Sequence, residues 1–152
     1  IGTASSEDGK KLIEDQGADA VFDHTDEDHF EEVRQFADGK GVDVIIEMLA
    51  NVNLERDFEA LRMFGRIVVV GNRGSIQFTP RLAMTKDATI YGMSLFNAPQ
   101  EKLDEIHTAI FEGLENGSLQ PHVGRRFKLG EAHLAHHEVV ESKALGKIVL
   151  VP

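Results

Sequence analysis

Chemistry in this chain is concentrated at the ends of its apolar runs. Arg66-Ile67-Val68-Val69-Val70-Gly71 is its clearest strand, and Asn72-Arg73-Gly74-Ser75 follows as a polar, Gly-containing loop. In an open α/β sheet, ligands bind outside the carboxyl ends of parallel strands, which places Val70, Gly71, Asn72 and Arg73 where a ligand would sit. Gly71 lets the backbone approach a bound ligand closely. Arg73 offers contacts to a phosphate, although a lone surface arginine is its ordinary role. Ser5 and Ser6 precede an amphipathic run and are each able to cap a helix, and Asn53 could cap another. His133, His136 and His137 fall on one helix face. Without further ligands beside them, and with no cysteine in the chain, they are not read as a metal site. Asp43 and Glu47 lie four apart on one strand face and read as strand-edge residues rather than an acid–base pair.

The elements that must hold these residues alternate. Strands are expected at 1–4, 20–22, 42–49, 66–71, 89–95 and 147–151. Between them come amphipathic helical segments, the first running from Ser5 or Ser6 to about Gln16. The next is capped by Thr25 or Asp26, and a third passes through Leu54, Phe58, Leu61 and Met63 to stop at Gly65. A long helix follows over 99–116, and the last runs from about Gly130 to Glu141. Val42 to Leu49 is apolar enough to predict burial on both faces. Strands separated by helices indicate βαβ units and a parallel sheet, so the fold class is α/β.

The 152 residues are 41% hydrophobic and 28% charged, as in soluble globular domains. Acidic residues outnumber basic ones 26 to 16, for a net charge of −10, which argues against a nucleic-acid surface. No apolar run approaches the roughly 20 residues of a membrane span. Lack of cysteine fits a reducing compartment, and a cytoplasmic location is expected. Ile1-Gly2-Thr3-Ala4 is neither an initiator methionine nor a signal peptide, so the chain reads as starting inside a strand, as a fragment.

The run Glu47-Met48-Leu49-Ala50-Asn51-Val52-Asn53-Leu54, the stretch Gly65 to Gly74 and the closing Gly146-Lys147-Ile148-Val149-Leu150 carry a resemblance. They are similar to the zinc-independent, zeta-crystallin-like quinone oxidoreductases of the medium-chain dehydrogenase/reductase superfamily. The resemblance implies a Rossmann-type, doubly wound sheet with strand order 3-2-1-4-5-6, in which Ile1 begins at the end of the second strand. The first, central strand and its Gly-rich turn have no counterpart here, so a gap in the sheet is expected. It further implies a partial dinucleotide-binding domain over 1–124 and, over 125–152, a segment returning to a catalytic domain.

On that resemblance NADPH is the expected cofactor. Ser5 and Ser6 end the second strand without a carboxylate and, with the helix N-terminus and Lys10, could accommodate the 2′-phosphate, while Glu7 and Asp8 oppose it. His24 would lie near the adenosine phosphate or else be a solvated loop histidine. Asn53 would contact the cofactor, and the backbone of Met93, Ser94 and Leu95 would meet the nicotinamide amide. The implied partners are a quinone or enone substrate and, through the edge strand, a second copy of the chain in a dimer or tetramer. The implied activity is hydride transfer from NADPH to a quinone, with no general acid identifiable. An enoyl or alkenal reductase and a non-catalytic, crystallin-like relative are the alternatives.

Overall fold

The computed structural model describes residues 1–141 and 145–152. Packing divides the chain into two compact units, Ile1–Ala98 and Pro99–Pro152. In the first unit the order is β1 (Gly2–Thr3), α1 (Glu7–Asp15), β2 (Val21–Phe22), α2 (His29–Phe36), β3 (Val42–Glu47), α3 (Ala50–Ala60), β4 (Leu61–Val69), α4 (Pro80–Lys86) and β5 (Thr89–Gly92). A 3-10 turn at Leu95–Asn97 closes it. The second unit contains α5 (Gln100–Glu115), β6 (Val123–Lys128), α6 (Ala132–Glu141) and β7 (Lys147–Val151).

Every strand pairing among the described residues is parallel, which bears out the α/β expectation. In the first unit, β1 pairs with β2 and a separate sheet has the order β3-β4-β5. The sheet is thus divided between the strands that the resemblance assigned as second and fourth, where the gap was expected.

Two departures from the sequence pattern bear on the site. The helix expected to reach Gly65 stops at Ala60, because Leu61 turns extended (φ −77°, ψ 138°) and pairs with Val42. Its side chain is fully buried with Phe58 and Ile67, against Ile45, Leu54 and Phe78. Ladder pairing resumes only at Arg66 opposite Val44, so 62–65 bulge out, with Phe64 left-handed at φ 61°. Helical periodicity through Leu61 and Met63 is therefore a coincidence of two apolar positions in different elements. Second, β3 is not covered on both faces by the described residues. Ile45 and Glu47 face α3 and the core, whereas Val44, Ile46 and Met48 alternate to the other face and are exposed. Helix α2 also starts later than expected, since Asp23 and Asp26 accept the main-chain N–H groups of Thr25 and Asp28 (2.9 Å each) and hold 23–28 in tight turns.

Leu61 is the best single test of this core. Leu61→Ala is expected to lower stability by about 2–5 kcal/mol, read as a shifted urea midpoint; an unchanged midpoint would contradict the packing.

Candidate functional site

Backbone hydrogen bonds join the carboxyl ends of β3, β4 and β5. The Glu47 carbonyl accepts the N–H groups of Val70 (2.8 Å) and Gly71 (3.1 Å), Ala50 N–H donates to the Gly71 carbonyl (3.0 Å), and Met93 N–H donates to the Val69 carbonyl (3.0 Å). Gly71 sits so close to the preceding turn that a Cβ on it would lie 2.0 Å from the Met48 carbonyl oxygen. Close approach by Gly71 is therefore needed first by the chain itself. Beyond it, Asn51 Oδ1 accepts the Arg73 N–H (2.8 Å) and Asn72 Nδ2 donates to the Gly74 carbonyl (2.7 Å).

These ends border a shallow cleft of about 430 Å³ lined by Val70, Gly71, Asn72, Gly92, Met93 and Ser94. Five of the six were singled out from the sequence, and the structure brings them together. Asn97 also lines the cleft and was missed; its only signal is a polar residue shortly after an edge strand. Gly92 faces open space, since a Cβ there would meet nothing within 4 Å. Leu95, expected here, opens the 3-10 turn and is more than half exposed. A wider hollow of about 970 Å³ lies against Asn51, Glu55 and 75–79. Its walls are bonded to each other, Thr79 donating through N–H (3.0 Å) and Oγ1 (2.9 Å) to Glu55.

Asn53 is a residue of α3 and not its cap, which is Leu49, so the capping role is excluded. Its Nδ2 donates to both oxygens of Glu47 at 3.4 Å. Glu47 also accepts the Leu49 N–H and does not act with Asp43, which pairs with Arg62 at 2.7 Å. The partner of Glu47 is Asp57, one helical turn beyond Asn53. Asp57 is 2% exposed and Glu47 5%. Burial first, and then the neighbouring Glu47, push the Asp57 carboxyl up to about 8. Nothing in the spacing of residues 47 and 57 announces this pair.

A second group of candidates lies at the end of the other sheet. Ser6 caps α1 by accepting the Gly9 N–H (3.2 Å), Ser5 is half-buried, and His24 is exposed after β2. Lys10 reaches this sheet end but is engaged, with Asp23 at 2.9 Å and Glu7 at 3.1 Å. Hydrogen bonds from Thr25, and then Lys10, hold the Asp23 carboxyl well below the usual carboxylate range. In the second unit His133, His136 and His137 lie on α6, where His137 Nδ1 meets Glu141 Oε1 at 3.1 Å. Among the described residues no group of three His, Asp or Glu side chains is arranged to hold a metal ion. No helix among them is long and apolar enough to cross a membrane.

A family profile described as zinc-binding dehydrogenase matches residues 16–150. The quinone oxidoreductase of Rattus norvegicus is 41% identical over 152 residues, covering 99% of this chain and 46% of that protein. That of Homo sapiens is 38% identical with the same coverage. The chain thus spans about half the length of these relatives. Among solved structures, a 2-haloacrylate reductase superposes with a TM-score of 0.86 at 26% identity, over all of this chain and 49% of that one. A mycobacterial protein complexed with NADPH does so with a TM-score of 0.86 at 25% identity, over 99% of this chain and 49% of that one.

Proposed function

Since the chain belongs to the zinc-binding dehydrogenase family, we propose that it forms part of an NADPH-dependent oxidoreductase that passes hydride to a quinone. The observation that carries this reading is the cleft at the carboxyl ends of β4 and β5, the position at which open α/β sheets take ligands. Bound NADPH would supply the hydride, so the chain's task is to place and shield a planar ring. Gly92 leaves the space open, Val70 and Met93 offer apolar surface, and Ser94, Asn72 and Asn97 offer polar groups at the rim. Arg73 brings positive charge to the same loop. A second reading, reduction of a conjugated C=C bond, is favoured by the likeness to 2-haloacrylate reductase.

Calorimetric titration of the natural full-length protein with NADPH and NADH, followed by rates with a benzoquinone and with an α,β-unsaturated ketone, tests both readings. Preferential turnover of the quinone supports the first and of the ketone the second. If neither nucleotide binds, both fail.

Ser5, Ser6 and Lys10 would meet the adenosine end of the nucleotide. Because Lys10 is already shared between Glu7 and Asp23, a 2′-phosphate must compete for it. Asp23→Asn is therefore expected to raise the NADPH-to-NADH affinity ratio by roughly two- to fivefold, the range an exposed ion pair allows. The titration checks this directly, and an unchanged ratio would remove Lys10 from the phosphate site.

A further inference from the structure

Two buried carboxyl groups lie beneath the strand ends, and the hydride chemistry proposed above uses neither. Glu47 closes β3 and Asp57 faces it from α3, on the same helix face as Asn53 one turn earlier. Glu47 is supplied with donors, the Leu49 N–H and Asn53 Nδ2. Asp57 lies beside Glu47, yet its buried Oδ2 meets no hydrogen-bond partner among the described residues. Two ionised carboxylates have no proton to bridge them and repel each other. Away from water the second charge is expensive to keep. A single proton between the groups removes the repulsion and turns the contact into a hydrogen bond.

We propose that Glu47 and Asp57 share one proton and act as a positioning pair that keeps the 47–53 turn clipped to the end of β4. The link is short. Glu47 receives Val70 and Gly71 through its carbonyl and holds Leu49 and Asn53 through its carboxyl group. Ala50 and Asn51 from the same turn bind Gly71 and Arg73. Loss of the proton would put a second negative charge under this turn and loosen the wall formed by Val70, Gly71 and Asn72. The consequence for nucleotide binding rests on the function proposed above; the clip itself does not.

Several charged groups on the neighbouring elements are engaged elsewhere. Arg34 of α2 pairs with Glu31, and Arg56 of α3 with Glu59 and the Phe30 ring. Glu55 receives Thr79, and Lys86 of α4 donates to the Leu61 carbonyl. His29 of α2 is turned to the Asp26 carbonyl at 2.5 Å. Among the described residues, Glu47 is the charged group that acts on Asp57.

The test is amide hydrogen exchange at Leu49, Val70 and Gly71 from pH 6 to 9 in the natural full-length protein, corrected for intrinsic base catalysis. Wild-type protection is expected to fall about tenfold across the titration of the pair. Asp57→Asn, whose amide donates permanently to Glu47, should stay protected throughout, and Asp57→Ala should be unprotected at every pH. Infrared spectra at pH 7 should show a protonated-carboxyl carbonyl band that Asp57→Asn lacks. Absence of that band in the wild type, or an Asn variant that follows the wild-type exchange profile, overturns the proposal. Both readouts work without nucleotide, so failure to bind NADPH or NADH would count against the proposed function alone. Where nucleotide binds, its KM should rise with the loss of protection in the wild type and stay level in Asp57→Asn.

Discussion

Gly71→Ala is expected to destabilise the protein by about 2–4 kcal/mol and to weaken nucleotide binding by tenfold or more. The added Cβ would lie 2.0 Å from the Met48 carbonyl oxygen, 2.8 Å from its carbon and 3.1 Å from the Met48 Cα. All three are backbone atoms and have no rotamer by which to escape. Relief requires the ends of β3 and β4 to separate, which breaks the bonds from Val70 and Gly71 to the Glu47 carbonyl. Gly92→Ala is the matched control. It faces open space, so its urea midpoint should match the wild type while its methyl group projects into the cleft and lowers nucleotide affinity. Urea unfolding and calorimetry of the two variants separate fold from site. A wild-type midpoint for Gly71→Ala would show that the strand ends are not held as described.

The second large effect is on stability as a function of pH. Asp57 moves from an ordinary value of 3.8 to about 8 in the folded chain, chiefly through burial and then through Glu47. Between those values the native state keeps a proton that the unfolded chain has released. Stability is therefore greatest at the acid end of this window for this group, and it falls as pH rises from about 4 to about 8, then levels. The slope approaches about 1.4 kcal/mol per pH unit where the difference is a full proton, and a loss of a few kcal/mol is expected across the window. Asp57→Asn carries no titrating group and should remove that slope, leaving the variant the more stable protein at pH 8. Urea midpoints at intervals from pH 5 to 9 measure this. Parallel curves for the wild type and variant would refute the assignment.

Much of the architecture was legible because it depends on local periodicity. The alternation of apolar runs with amphipathic segments, the β4 strand from Arg66 onward and the closing β7 strand are statements about which residues lie one, two or four positions apart, and backbone geometry enforces those spacings directly. Gly71 and its neighbours were legible as a strand end, and strand ends in parallel sheets are where ligands are bound. The family resemblance rested on the same stretches.

Tertiary structure decided whatever depends on partners far along the chain. Leu61 looks helical by spacing, but burial against Phe58 and Ile67 and pairing with Val42 make it the first residue of a strand. Val44, Ile46 and Met48 are apolar enough to predict a covered face, yet no described element covers them. Lys10 finds Asp23 because β1 and β2 pair side by side, and Asp43 finds Arg62 across the β4 bulge. Glu47 and Asp57 meet only when α3 folds back over β3. Ten residues apart, they share no strand or helix period, and it is the loss of water around both that makes their meeting consequential.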